Sequence, residues 1–219
     1  MALTLVIGNK NYSSWSMRPW IALKAAGVVF DEVVIPLYTD DPVDKQRILH
    51  YSPAGKVPIL IAGAVTTWDS LAIIEYLAEK FPGKGFWPAD AGARALARSI
   101  SAEMHSGFMA LRNECSMNIK RPVHKKALSA DAKANAERIQ DIWSACRRTY
   151  GQGGPFLFGG FSGADAMYAP VVHRFRIYGV DVGSAAADYM SAMQAHPAFQ
   201  EWDSAALKET WVIEKFDND

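Results

Sequence analysis

The hydrophobic pattern divides the chain into a mixed half and a helical half. Up to Phe81, apolar runs of strand length alternate with segments in which apolar residues recur at helical spacing. The predicted strands are Leu3–Ile7, Glu32–Ile35, Ile59–Ile61 and Val65–Thr67. The predicted helices are Ser16–Ala26, Pro42–Tyr51 and Ser70–Phe81. In this order we expect a four-stranded mixed sheet, with the first two strands parallel and the last two joined as a hairpin.

Beyond Pro82–Pro88, a segment rich in helix breakers, the pattern is helical throughout. Leu96, Ile100 and Met104 begin an apolar stripe that predicts one long helix over Ala91–Met117. The other predicted helices are Asp131–Tyr150, Gly163–Tyr178, Ala185–Gln194 and Pro197–Leu207. The predicted fold class is therefore α/β plus all-α: a thioredoxin-like domain at residues 1–81, a linker at 82–90 and an all-helical domain at 91–219.

Composition narrows the functional classes. Half of the 219 residues are apolar, which is enough for a sizeable core. Lys and Arg together number 23, as do Asp and Glu, so the net charge is zero and nothing favours nucleic acid as a partner. Cys115 and Cys146 form no CxxC motif, and the five histidines show no metal spacing, so we expect no metal. With no membrane-length apolar run and no signal peptide, a cytoplasmic location is expected.

The stretch Ser52–Ser70 holds three backbone features in a fixed order. Ser52–Lys56 is a turn, Val57-Pro58 is a candidate cis bond at the start of a strand, and Trp68–Ser70 ends a hairpin and begins a helix. In this order they resemble the glutathione-binding half of glutathione transferases. The resemblance implies glutathione as co-substrate and a two-fold homodimer.

A second signature supports the resemblance. Ser162-Gly163-Ala164-Asp165 is a capping-box variant, in which the Asp165 carboxylate reaches back to the Ser162 amide. It is similar to the buried helix start in the helical domain of glutathione transferases. The alternative is an ordinary surface helix cap, and Asp165 is structural under either interpretation.

The turn before the first helix resembles the serine-type turn of the zeta and theta classes. Glutathione transferases need the tripeptide's thiol, whose free pKa is about 8.5, as a thiolate. A donated hydroxyl and the positive end of a helix both stabilise that anion. The zeta turn reads Ser-Ser-Cys-Ser-x-Arg, so alignment on Arg18 implies Ser13 as the catalytic residue, with Ser14 adjacent. Trp15 replaces the zeta cysteine, and Ser16 is expected to cap the helix; capping is also the alternative role for Ser13 and Ser14.

The resemblance also implies residues that bind glutathione. Val57, before the cis-Pro58, offers its backbone N–H and C=O to the cysteinyl part of the tripeptide. Lys56 reaches the glycyl carboxylate or is a solvated turn lysine. Ser70, at a helix N-terminus, holds the γ-glutamyl carboxylate. Asp69 holds the γ-glutamyl ammonium or caps the helix, and we favour capping.

The second substrate is expected between the two domains. The candidate pocket residues are Tyr12, Trp15, Met104, Phe108, Met109 and Arg112. Aromatic and Met residues at helical spacing also pack cores, so some of these are expected to face inward. Trp211 and Phe216, near the end of the chain, are candidates to cover the pocket.

The predicted function is a transferase that activates the glutathione thiol for attack on a small, hydrophobic electrophile, in a detoxification role. One alternative is a zeta-like glutathione-dependent isomerase. The arginine that zeta isomerases carry in the capping-box helix aligns with Ile177, and neither Arg174 nor Arg176 matches its position. The other alternative is a non-catalytic interaction protein of the same fold. The presence of Ser13, Ser14 and Ser70, which could activate the thiol and bind glutathione, favours the enzyme over the interaction protein.

Overall fold

Four strands form one mixed sheet in the first third of the chain. The computed structural model describes residues 2–39 and 41–217. The strands are β1 (Leu3–Ile7), β2 (Asp31–Val34), β3 (Ile59–Ala62) and β4 (Val65–Thr67). Their spatial order is β2-β1-β3-β4, with β1 parallel to β2 and antiparallel to β3, which forms a hairpin with β4. The predicted mixed sheet is confirmed.

Helices surround this sheet and make up the rest of the fold. The first part contains α1 (Ser14–Ala25), α2 (Pro42–Tyr51) and α3 (Ser70–Lys80). After a short 3-10 turn at Pro82–Lys84 follow α4 (Ala91–Ser106), α5 (Met109–Glu114), α6 (Ala130–Tyr150), α7 (Gly163–Ile177), α8 (Ser184–Ala195), α9 (Pro197–Lys208) and α10 (Glu214–Asp217). The predicted fold class, a thioredoxin-like part followed by a helical part, is confirmed. Within the described ranges, no helix is both long enough and apolar enough to cross a membrane.

Strand β1 places side chains in two separate cores. Leu3, Leu5 and Ile7 share one face because side chains alternate along a strand. They join the large core, which continues through α1 into α7 and the other helices of the second half. Val6, on the opposite face, packs with Ile35 and neighbours in a small core beneath α2. The large core therefore holds the two halves together along α1.

The long helix predicted for Ala91–Met117 is interrupted, and this prediction was wrong. Helix α4 ends at Ser106, and its C-cap Gly107 still donates its amide to the carbonyl of Glu103 at 2.8 Å. The next residue, Phe108, adopts a left-handed backbone with φ of 59° before α5 begins. Its side chain is buried in the large core. The apolar stripe is thus kept while the helix axis is broken.

Local backbone signals were read correctly around β3 and α2. The Val57–Pro58 peptide bond is cis, as predicted, and the Trp68–Asp69 bond is also cis. Asp41 caps α2 by accepting from the amide of Val43 at 2.8 Å. Helix α1 ends before Gly27, which has a φ of 61°, a conformation that glycine adopts without steric cost.

The capping box of α7 is buried. The Asp165 carboxylate accepts from the Ser162 amide at 2.8 Å, from the Ser162 hydroxyl at 2.9 Å and from the Leu157 amide at 3.0 Å. Burial raises the pKa of Asp165 to about 6, although these bonds lower it. Asp165 therefore organises both the start of α7 and the loop before it.

We predict that Asp165→Ala lowers the free energy of unfolding by at least about 3 kcal/mol, because three buried donors lose their acceptor at about 1–3 kcal/mol each. The measurement is chemical denaturation at pH 7. Asp90→Ala is the matched control, since Asp90 caps α4 from an exposed position and its loss should cost about 1 kcal/mol. Equal losses in the two variants would contradict a special role for Asp165.

Candidate active site

The turn between β1 and α1 presents the predicted catalytic serines. Helix α1 begins at Ser14, and Ser13 is its N-cap, accepting from the Ser16 amide at 3.4 Å. The Ser13 hydroxyl donates to Ser16 Oγ at 2.8 Å, and that oxygen also accepts from the Gly8 amide at 3.0 Å. Ser16 was predicted as the cap. That prediction was wrong because the helix starts two residues earlier. Ser16 therefore lies inside the first turn of α1, where its hydroxyl oxygen accepts from Ser13 and Gly8.

The end of the chain holds this turn in place. The Glu209 carboxylate accepts from the backbone amides of Lys10 at 2.7 Å and Asn11 at 2.9 Å. The Tyr12 hydroxyl donates to Asp217 at 3.1 Å and accepts from the Ile213 amide at 3.3 Å. The predicted pocket residue Tyr12 thus has its hydroxyl engaged by the terminal segment.

Two clefts meet at the turn. The larger, of about 540 Å³, extends towards α2 and the segment before β3. The smaller, of about 280 Å³, extends towards α4, α5 and α7. The residues that line both are Ser13, Trp15, Leu37 and Tyr38. A further cleft of about 600 Å³ at the linker shares no residue with the turn. A ligand in each of the first two clefts would therefore approach its neighbour at Ser13.

The larger cleft contains part of the predicted glutathione site. Lys56 and Val57 line it, and Pro58 is buried next to them. Lys45 also lines it and donates to the carbonyl of Gly55 at 3.0 Å. Sequence reasoning missed Lys45, which has no motif of its own. Two lysines thus supply positive charge at this end of the cleft.

Asp69 and Ser70 lie at the start of α3. Asp69 Oδ1 accepts from the amides of Leu71 at 3.1 Å and Ala72 at 3.4 Å, so Asp69 is the helix cap. Its other oxygen, Oδ2, lies 2.9 Å from His105 Nε2. Ser70 is fully buried, and its hydroxyl has no hydrogen-bond partner among the described residues. A buried hydroxyl without a partner is costly, which is expected where a ligand supplies the partner.

The smaller cleft contains four of the six predicted pocket residues. Tyr12, Trp15, Met109 and Arg112 line it. Met104 and Phe108 do not; both are buried in the large core, Phe108 because the helix breaks there. Phe216 closes the cleft from the terminal segment, with its ring 5.9 Å from that of Tyr12 and 5.6 Å from that of Tyr38. Trp211 is 40% exposed and is not part of this lining.

Three arginines surround Trp15 and Ser14. The guanidinium carbons of Arg18 and Arg112 lie 4.3 Å and 5.0 Å from the centroid of the Trp15 ring. Arg174 donates to Ser14 Oγ at 3.3 Å and to the carbonyl of Cys115. Burial lowers the pKa of Arg18 well below its usual value, and the charges of Arg112 and Arg174 lower it further. Together these arginines give the site a positive potential, which favours an anion.

Arg174 and His105 are site residues that sequence reasoning missed. Arg174 lines the smaller cleft, whereas Ile177, the position aligned with the zeta arginine, is buried in the core. Arg176 points elsewhere, with its guanidinium 3.9 Å from Asp203. His105, one of the five histidines without metal spacing, also lines the cleft. An available signal for Arg174 was its place in a helix whose other residues are mostly apolar.

Comparisons with known proteins agree with this architecture. The model of the glutathione S-transferase N-terminal domain matches residues 12–80, and that of the C-terminal domain matches residues 126–202. Glutathione S-transferase 1 of Dianthus caryophyllus is 31% identical over 78% of this chain and 77% of its own length. The chain belongs to the glutathione transferase family. This membership confirms the resemblance drawn from Ser52–Ser70 and from the capping box.

One further relative and two solved structures are also similar to this chain. A probable maleylacetoacetate isomerase of Caenorhabditis elegans is 37% identical over 46% of each chain. A Burkholderia glutathione transferase homologue, solved with bound glutathione, is 26% identical, covers 94% of this chain and 98% of its own, and has a TM-score of 0.69. A bacterial maleyl pyruvate isomerase of the zeta class, 23% identical over 95% of this chain and 100% of its own, has a TM-score of 0.71 and shows the shared fold.

We predict that Ser70→Ala weakens glutathione binding by about 1–3 kcal/mol, the range for a hydrogen bond to a charged group. The same change should leave the thermal midpoint of the ligand-free protein unchanged or raise it, because the hydroxyl that is removed has no partner. Isothermal titration and thermal unfolding measure the two effects. Unchanged affinity would remove Ser70 from the glutathione site.

Proposed function

We propose that the protein is a glutathione transferase that activates the glutathione thiol and adds it to a small electrophile. The observation that carries this proposal is the position of Ser13, a hydroxyl at a helix N-terminus where both clefts meet. Glutathione occupies the larger cleft and the electrophile occupies the smaller one. Sulfur and the electrophilic carbon then come together beside Ser13.

Thiolate formation is favoured by the charges around the turn. The N-terminus of α1 provides a partial positive charge, and Arg112 and Arg174, which line the smaller cleft, add positive charge. In the free protein the Ser13 hydrogen is donated to Ser16 Oγ. When glutathione binds, that hydrogen turns towards the sulfur, while Ser16 keeps its bond from the Gly8 amide. Ser14 takes a supporting role because Arg174 donates to its oxygen.

Glutathione is oriented by Val57 and two lysines in the larger cleft and by the start of α3, although Asp69 and Ser70 do not themselves line that cleft. The backbone of Val57 pairs with the cysteinyl residue, as an added strand does. Lys56 and Lys45 attract the glycyl carboxylate. Ser70, at the N-terminus of α3, receives the γ-glutamyl carboxylate, and Asp69 attracts the ammonium group. We further propose a cytoplasmic homodimer with a detoxification role.

Arg174 favours a second candidate function, glutathione-dependent isomerisation of an acidic substrate. Arg112 and Arg174 both line the smaller cleft, and guanidinium groups bind carboxylates well. Several relatives carry the name maleylacetoacetate isomerase. In such a reaction the thiolate adds to a double bond, rotation follows, and the thiolate leaves again. The same activated sulfur serves both candidates.

We predict that Ser13→Ala raises the pKa of bound glutathione and lowers kcat/KM by about ten- to a thousandfold, or roughly 1.4–4 kcal/mol, because sulfur loses a donated hydroxyl. Ser14→Ala should have a clearly smaller effect. The measurement is thiolate absorbance of bound glutathione against pH. If neither variant shifts that pKa, activation comes from the helix N-terminus and the arginines, and the serine assignment fails.

We predict retention on immobilised glutathione and conjugation of glutathione to a generic aromatic electrophile. Isomerisation of maleylacetoacetate, measured in parallel, separates the two candidates. Arg174→Met should reduce isomerisation more than conjugation, because the guanidinium supports the thiolate in both reactions but binds a substrate carboxylate only in isomerisation. Retention without either reaction would indicate a non-catalytic binding protein. Absence of retention would contradict the glutathione site itself.

A further inference from the structure

His105 joins the two halves of the molecule at the candidate active site. It lies near the end of α4, and its Nε2 is 2.9 Å from Oδ2 of Asp69, the cap of α3. Its ring also lies edge-on to Trp15, with centroids 5.1 Å apart, and lines the smaller cleft. One imidazole thus contacts the cap of the helix assigned to glutathione and a wall of the second-substrate cleft.

The protonation state of His105 follows from its surroundings. Burial lowers the pKa of His105. The negative charge of Asp69 raises this pKa, and the positive charges of Arg18 and Arg112 lower it further. The imidazole is therefore neutral at pH 7. Because a carboxylate only accepts, the hydrogen lies on Nε2 and is donated to Asp69. Nδ1, the other ring nitrogen, has no partner among the described residues.

Asp69 keeps room for a ligand after these bonds are made. A carboxylate accepts about four hydrogen bonds. Oδ1 accepts from the amides of Leu71 and Ala72, and Oδ2 accepts from His105. One site on Oδ2 remains for an ammonium group. His105 therefore fixes the direction of this oxygen without filling its capacity.

The position of His105 is itself fixed. The last carbonyls of a helix lack intrahelical donors. At the end of α4, Arg112 donates to the carbonyls of Gly107 at 2.9 Å, of His105 at 3.4 Å and of Met104. This holds the α4 terminus, and with it the imidazole, against Asp69. A continuous set of contacts runs from Arg112 through His105 to the start of α3, where Ser70 lies.

We propose that His105 is a positioning residue for glutathione, which acts through Asp69 to fix the α3 N-terminus that receives the γ-glutamyl group. The proposal rests on the proposed glutathione site. The bond crosses from the helical half to the sheet half, so His105 sets the relative placement of the two clefts as well. Glutathione should bind more weakly when the bond is lost.

The experiment is isothermal titration of reduced glutathione into single-site variants at pH 7. His105→Phe keeps a ring against Trp15 but cannot donate, and should raise the Kd about tenfold or more, the range for a lost bond to a charged group. His105→Gln keeps a donor and should stay within about threefold of the wild type. His50→Phe, at an exposed histidine on α2, is the matched control and should change nothing. Turnover at saturating glutathione should be unchanged in His50→Phe, which lies outside both clefts.

A double-variant cycle separates positioning from simple packing. Asp69→Asn keeps the helix cap but turns an acceptor beside His105 into a donor. In that background, His105→Phe should change the Kd by less than about twofold, because the partner is already lost. Full additivity, or equal weakening by His105→Gln and His105→Phe, would overturn the proposal. No binding by the wild type would instead overturn the glutathione site, so the two failures are distinguishable.

Discussion

Hydrogen bonds to the main chain of the turn at residues 8–13 are the constraint on which both clefts depend. This turn leaves several backbone donors away from water, and each needs an acceptor. The Gly8 amide bonds to Ser16, the Lys10 and Asn11 amides bond to Glu209, and Asn9 Oδ1 accepts from the Leu37 amide. These bonds satisfy the backbone donors and hold the turn in place. Ser13 is then held at the junction of the clefts while its own hydroxyl can still rotate.

The parts of the fold that could be predicted from sequence are those whose interacting residues lie close together in the chain. The Val57–Pro58 bond, the Asp41 cap and the Ser162–Asp165 box are local, because each partner lies within a few residues of the other. Such signals are carried by residue type and spacing alone. The broken helix after α4 was not readable in this way, since the apolar stripe continues across Gly107 and Phe108 while the backbone turns.

The candidate site was readable only where it follows a motif. Ser13, Val57 and Ser70 were predicted from their resemblance to a known pattern, and the side chain of Ser13 bonds to Ser16, only three residues away. Glu209 reaches the Lys10 amide across 199 positions, and Arg174 reaches Ser14 across 160. No periodicity or cap predicts such pairs, because long side chains meet only after the helices have packed. For this reason the sequence pointed to the serines but not to the charges around them.

The three arginines around Trp15 and Ser14 differ in how well their hydrogen-bond donors are satisfied. Burying a guanidinium is unfavourable unless its donors are satisfied. Arg174 meets this condition through the carbonyl of Cys115, and Arg112 through the end of α4. Arg18 does not, since its Nε and Nη1 have no partners among the described residues. Its nearest compensation is the Trp15 ring and the charge of Asp69. A buried cation that is incompletely paired destabilises the empty site, and an anion bound among the three arginines would offset part of that cost.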